Sequence, residues 1–472
     1  MLATLLAGTS THANGQSEAP APAAQAAELE RAAALIRQVE SLTQEGKFNE
    51  AMPLAERALA IRRRALGEDH PDVARALGNV AVLRRAKGDF AGAEALYQRA
   101  LAIFEKAIGT ENNDYAKALN NLGLLDLERG DYVRAEPRLL RALDIYERVS
   151  GPDQLPVAAS LNNLGELYKK RGDLEKSARM HRRALDIREK ALGEDHPLVA
   201  RSLNNLAIVY NEMGDLEKAE PLYKRSLAIS EKRLGADHLD VAVPLNNLAT
   251  LYLEKGDSAS AEPLLRRSLE ITEKALGPEH PEVAAALLNL AGLYRERGDY
   301  QEAEPLYLRS LKISEASLGP QHPDVAEALS NLSGLYLAKG QSAKAVAAQA
   351  RANEIFERNL ALVLAVGSEE EKWLYMQTLS GDTDGTVSLL ARYAPADPEA
   401  ARLALTTVLR RKGRVLDVMA NSVGALRGRV SAEDGALLEK LSGVRARLAA
   451  LVLQGPEGTS PAEHQEAVAK IE

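Results

Sequence analysis

The sequence predicts an all-α protein: a right-handed superhelical solenoid of antiparallel helix pairs, followed by irregular C-terminal helices. Three observations predict it. Glycines recur at a constant step along most of the chain, apolar residues between them recur at three- and four-residue steps, and the composition is apolar without being aromatic.

The glycines set the frame. Gly67, Gly109, Gly151, Gly193, Gly235, Gly277 and Gly319 follow one another every 42 residues, and Gly46, Gly88, Gly130, Gly172, Gly214, Gly256, Gly298 and Gly340 fall halfway between them. Each half-unit therefore holds one helix and a turn, the glycine closing the helix in the left-handed conformation that other residues resist. At one junction Pro71, Pro197, Pro281 and Pro323 occupy the first helical position, where the missing N–H costs nothing. At the other, Asp89, Asp131, Asp173, Asp215, Asp257 and Asp299 follow the glycine and suit an N-cap. Turns of about four residues leave helices of roughly 16 residues, or about 24 Å. Val199, Leu203, Leu206 and Tyr210 line one face of a first helix, and Leu216, Ala219, Tyr223 and Leu227 line its partner.

Composition bounds the rest. Of 472 residues 46% are apolar but only 4% aromatic, so the core is built from Leu, Ala, Val and Ile, as stacked helices allow. A balance of 59 basic against 67 acidic residues, net charge −8, gives no nucleic-acid footprint. Without cysteine there is no disulfide, thiolate zinc site or cysteine nucleophile in these residues. No run of apolar residues is long enough to span a bilayer. Residues 1–25 read either as a tail or as a clipped export signal: Leu2 to Gly8 is apolar and Thr11-His12-Ala13 resembles a cleavage site, but the first basic residue is Arg31. Localisation is thus cytoplasmic or exported, and residues 14–25 read as linker.

The run Leu203-Asn204-Asn205-Leu206-Ala207, then Tyr210, Gly214-Asp215, Ala219 and Tyr223, resembles the tetratricopeptide signature. The 42-residue unit is longer than the usual one of about 34 residues and is similar to the long variant of kinesin light chains, as is Leu192-Gly193-Glu194-Asp195-His196-Pro197. Eight units run from 26 to 367, the first and last degraded as capping repeats are. Unit 3 departs by placing Asp126 where later units have Tyr168, Tyr210, Tyr252, Tyr294 and Tyr336. A small residue early in each second helix (Ala51, Ala93, Ala135, Ser177, Ala219, Ala261, Ala303, Ala345) marks the close helix crossing. Overpacking there costs about 1–3 kcal/mol.

One column resists a packing explanation. Asn79, Asn121, Asn163, Asn205, Asn247, Asn289 and Asn331 sit mid-helix in successive units, where asparagine costs about half a kcal/mol of helix propensity against alanine. The column reads two ways: as structural hydrogen bonds to a neighbouring turn, or as amides lining a groove that grips an extended peptide. The resemblance implies the second, since first helices of tetratricopeptide proteins line the concave surface. Arg75, Lys117 and Arg201 one turn earlier, with Lys169, Asn211 and Arg295 later, either form a mildly basic floor suited to an acidic or C-terminal peptide or are simply a solvated face. The groove reading expects Asn205 and Asn247 to carry binding and not stability.

His70, His196, His238, His280 and His322 form a further column, one per turn and therefore unable to converge on a metal; they read as caps. Asn112 and Gln154 hold the same place in units 3 and 4. Asp382-Thr383-Asp384-Gly385 lacks the later ligands of a calcium loop. No phosphate loop, nucleophile elbow or zinc-protease helix is present, so the reading assigns no catalytic residue, cofactor or metal.

Residues 368–472 lose the period. Helix starts are legible at Asp397-Pro398-Glu399, Ser431-Ala432-Glu433-Asp434 and Ser460-Pro461-Ala462-Glu463, and Trp373 reads as packing at the join. The last helix reaches Glu472 without a stop signal, so a continuation is expected. The stretch Leu403 to Asp417 resembles the connector of bacterial CHAT-domain proteins, caspase-like proteases associated with tetratricopeptides. That resemblance implies a recognition arm for a protease domain beyond this chain. The rival is a kinesin-light-chain-like cargo or assembly adaptor, whose family carries a heptad coiled coil ahead of its repeats; residues 1–25 hold none. The expected partner in either case is a protein or extended peptide.

Overall fold

The computed structural model describes residues 22–44, 46–366, 386, 398 and 400–408. They form an all-α solenoid of paired antiparallel helices. The chain divides into two compact bodies. One holds residues up to Asp126 with Val133–Ser160, the other Leu127–Tyr132 with Leu161 onward.

The first body carries α1 (Pro22–Gln44), α2 (Phe48–Leu66), α3 (Pro71–Ala86), α4 (Phe90–Ile108), most of α5 (Asn113–Glu128) and α6 (Tyr132–Ser150). The second takes most of α7 (Leu155–Lys170), then α8 (Leu174–Leu192), α9 (Pro197–Glu212), α10 (Leu216–Leu234), α11 (Leu239–Glu254) and α12 (Ser258–Leu276). It continues with α13 (Pro281–Arg297), α14 (Tyr300–Leu318), α15 (Pro323–Ala338) and α16 (Ser342–Val366).

The two helices of a unit are unequal, which corrects the expectation of about 16 residues each: first helices such as α9 span 16 residues and second helices such as α10 span 19. The second helix starts two residues after its glycine where the first starts four, and it runs to the residue before the next glycine where the first stops two short. Only Met213, Gly214 and Asp215 separate α9 from α10, whereas Gly235 to His238 separate α10 from α11. The glycines also differ. Gly298 closes its helix in the left-handed region (φ 88°, ψ 5°), but Gly235 has φ 96° and ψ 151°, a region still more specific to glycine.

Capping is periodic. Asp89, Asp173, Asp215 and Asp257 accept from the backbone N–H three residues on. Asp299 instead pairs with Arg297. The histidine column caps the other junction: Nδ1 of His70, His196, His238, His280 and His322 accepts from the N–H two residues later, at 3.1–3.3 Å. Asn112 does the same work for Tyr115 at 2.9 Å.

In the first body Leu77, Val80 and Leu83 of α3 pack with Ala51, Ala55, Ile103 and Phe104 of the flanking second helices. In the second, Leu203, Leu206 and Tyr210 of α9 meet Leu185, Ala219 and Tyr223. Every member of the small-residue column, from Ala51 to Ala345, is fully buried, so a larger side chain there has nowhere to go. Prolines inside α10, α12 and α14 (Pro221, Pro263, Pro305) are exposed, so the hydrogen bond each forfeits lies at the solvent face.

Unit 3's departure has a structural answer. Asp126 is fully buried and forms an ion pair with Arg138, with Arg134 at 3.8 Å. Arg138 stands where α10, α12 and α14 carry Leu222, Leu264 and Leu306, so an Asp–Arg pair replaces a Tyr–Leu contact.

Candidate peptide-binding face

In the first body, side chains from α1 to α5 surround a cleft of about 240 Å³. Arg75, Asn79, Lys117 and Asn121, all members of the columns read from the sequence, stand at its wall. The floor comes from second helices: Tyr97 and Phe104 of α4 are essentially inaccessible and supply an apolar base. Glu40, Arg62 and Asp114 complete the polar rim. A reading confined to first helices passes over Arg62, Tyr97 and Phe104, although Arg62 and Phe104 share one 42-residue column; Glu40 and Asp114, on first helices, lie outside the columns it followed.

The charges of this cleft are largely matched. Arg75 donates through Nε and Nη2 to Asp114 at 3.0 and 2.6 Å and through Nη1 to Asp72, which holds its guanidinium firmly protonated. Arg62 donates to the Asp72 carbonyl at 2.9 Å, and burial pulls its pKa below the usual value. Lys117 is exposed and forms no ion pair among the described residues.

The asparagine column splits into two kinds. Asn205, Asn247 and Asn289 each donate their amide to the asparagine one place earlier in the preceding unit: Asn162 at 2.8 Å, Asn204 at 2.9 Å and Asn246 at 2.7 Å. Asn163 is engaged as well. A ladder of side-chain amides thus ties successive first helices together, which is neither a bond to a turn nor an open row of donors. The rung needs an Asn-Asn doublet in the preceding unit. Where the doublet is broken, by Ile36, Gly78 or Leu288, the amides of Asn79, Asn121 and Asn331 make no hydrogen bond among the described residues. The expectation that Asn205 and Asn247 bind without stabilising is therefore revised, because their donors already hold the repeat stack.

The basic-floor reading is revised likewise. Lys169 pairs with Glu166 at 3.0 Å and the Asn211 amide donates to both Glu254 oxygens at 2.9 and 3.0 Å, so the acids of the same face answer them. Arg295 lies against Gly334, and Arg201 is exposed. Neither forms an ion pair among the described residues.

The tetratricopeptide repeat pattern matches residues 30–106, 114–190, 157–232, 198–274, 240–315 and 282–358, well over half the chain. The chain is a tetratricopeptide repeat protein. Among solved structures similar to this chain, a putative kinesin light chain of Podosopora anserina with nearly identical TPR-like repeats is 27% identical. It covers 44% of this chain and 97% of its own, with a TM-score of 0.39. BtubC (BKLC) from P. vanneervenii is 22% identical over 62% of this chain and 93% of its own, TM-score 0.33. A Rap protein complexed with competence and sporulation factor is 16% identical over 82% of this chain and 99% of its own, TM-score 0.49. No curated protein matches it.

Within this repeat protein no cluster among the described residues is arranged to hold a metal, and no described helix is long and apolar enough to cross a membrane. Trp373, Asp382 to Gly385 and the helix starts at Ser431 and Ser460 lie outside the described residues, as does the connector stretch beyond Val408.

Proposed function

We propose that this tetratricopeptide repeat protein is a scaffold of the kinesin-light-chain-like adaptor kind, capturing a partner protein by an extended peptide segment laid along its first-helix face. One observation carries the reading. The cleft of the first body combines an apolar floor with two amides, Asn79 and Asn121, that make no hydrogen bond among the described residues, and with Lys117, which forms no ion pair among them. Amides with free donors and acceptors suit a peptide backbone, and an apolar base suits one anchoring side chain. A free lysine favours an acidic segment.

Selection from a displayed random-peptide library tests it. The intact chain should enrich a family of sequences with an apolar anchor beside acidic residues, and K117A should lose those sequences. Enrichment of nothing above background, or enrichment unchanged by K117A, would sink the proposal.

A second reading, the recognition arm of a caspase-like protease, rests on the likeness of residues 403–417 to a connector. The reading frame downstream tests it: a caspase-like histidine and cysteine support it, and a stop codon overturns it.

A further inference from the structure

The second body holds a place in the same register as the cleft, three units on, whose charges are not matched. Arg188, on the second helix α8, corresponds to Arg62, and Arg201 on α9 corresponds to Arg75. Asp72, which serves both arginines of the first body, is replaced by Leu198. Asp240, in the register of Asp114, lies beside His238 at 3.9 Å and forms no ion pair with Arg201.

Arg188 is 97% buried, its relative exposure being 3%. Among the described residues it makes one hydrogen bond, from Nη1 to Ser202 Oγ at 2.5 Å, and that hydroxyl in turn donates to the Leu198 carbonyl at 3.1 Å. No carboxylate among the described residues lies within ion-pair distance of it, and the charges that act on it and on neighbouring His181 include Arg201 and Lys169. Its remaining nitrogens are not sealed from solvent as unbonded buried atoms. The serine of later units at this column, Ser230 and Ser314, shows that the fold does not need an arginine here. A guanidinium 97% buried, under the field of Arg201 and with no carboxylate in ion-pair range among the described residues, is a costly arrangement that an incoming anion relieves at its still accessible nitrogens.

We propose that Arg188 and Arg201 form a subsite for a side-chain carboxylate of an acidic peptide segment of the partner. The buried guanidinium supplies fixed, poorly hydrated donors, and the exposed Arg201 gathers the charge at the surface. Glu166, on α7, acts electrostatically on His181 and is itself paired with Lys169 at 3.0 Å. The inference rests on the protein-binding reading and adds a second, separately testable point of contact to it.

The experiment is fluorescence anisotropy of labelled hexaglutamate on the full chain at low salt, with melting temperatures in parallel. Hexaglutamate should bind and raise the melting temperature. R188S should weaken binding at least tenfold, and without the peptide should melt no lower than the natural chain. R201A, at an exposed position, should weaken binding severalfold and leave the fold untouched, so the test survives if R188S fails to fold. Unchanged affinity in R201A and in R188S overturns the subsite, as does equal stabilisation by inorganic phosphate at matched charge, which marks a free-anion site. Hexaglutamate failing to bind while library-selected peptides still respond to K117A would remove this subsite and leave the proposed function standing.

Discussion

The two bodies share one sequence register but answer charge differently at equivalent positions. In the first, Arg75 is answered by Asp114 and Asp72, and the buried Asp126 by Arg138. In the second, Arg188 has a hydroxyl for company, and both nitrogens of His181, 1% exposed, are buried without a hydrogen-bond partner among the described residues. Repeats that are nearly identical in fold can therefore differ in what they leave unsatisfied, and unsatisfied groups are where ligands and solvent conditions act.

The largest expected effect tests the balanced body. R138A takes the closest cation from the buried Asp126 carboxylate and leaves Arg134, at 3.8 Å, to answer it; breaking such a pair costs up to about 3–5 kcal/mol. The double variant D126Y/R138L restores the Tyr–Leu pattern of later units and should recover most of that loss in a denaturant melt. A single variant and a double variant of equal stability would show the pair to be solvated.

Acid should expose the unbalanced body next. Burial of His181 is the main cause that lowers its pKa to about 4; Glu166 opposes the shift, while Lys169 and Arg188 reinforce it. The unfolded chain takes up that proton near 6.5, so stability holds above this pH and is lost as pH falls from there towards 4. The loss is at most ~3 kcal/mol. H181L copies Leu139, which packs over Gly123 as His181 packs over Gly165. It should flatten this part of the pH–stability profile, and an unaltered profile would place the titration elsewhere.

The amide ladder predicts a smaller contrast. N205A removes a rung and should cost about 0.5–1 kcal/mol, one net hydrogen bond less the gain in helix propensity. N331A removes an amide with no hydrogen bond among the described residues and should be neutral or stabilising by about half a kcal/mol. Equal costs at both positions would mean the rungs contribute nothing.

Much of this was legible before any coordinates. The glycine steps, first-turn prolines and capping aspartates dictate helix pairs because each residue type answers one backbone requirement. Unequal helix lengths were not legible, since glycine marks where a turn lies but not how many residues it takes. The ladder was written in the Asn-Asn doublets and missed because each rung joins position n to a residue 43 places earlier, not 42. Asp126 stood out as an exception, and Arg138, its answer 12 residues on, was visible only by comparing the leucine column of second helices. Burial of His181 and Arg188 depends on Gly165 and Ser202 across helix crossings, which no single-helix pattern contains.

The central claim, that unspent amides of the first body bind a partner peptide while the laddered ones hold the stack, is tested most directly by one paired measurement. Affinity for a selected peptide and melting temperature are read in N79A/N121A and in N205A/N247A. The account predicts about a tenfold loss of affinity at unchanged melting temperature for the first pair, and a lowered melting temperature with affinity kept within about twofold for the second. The reverse pattern would contradict it.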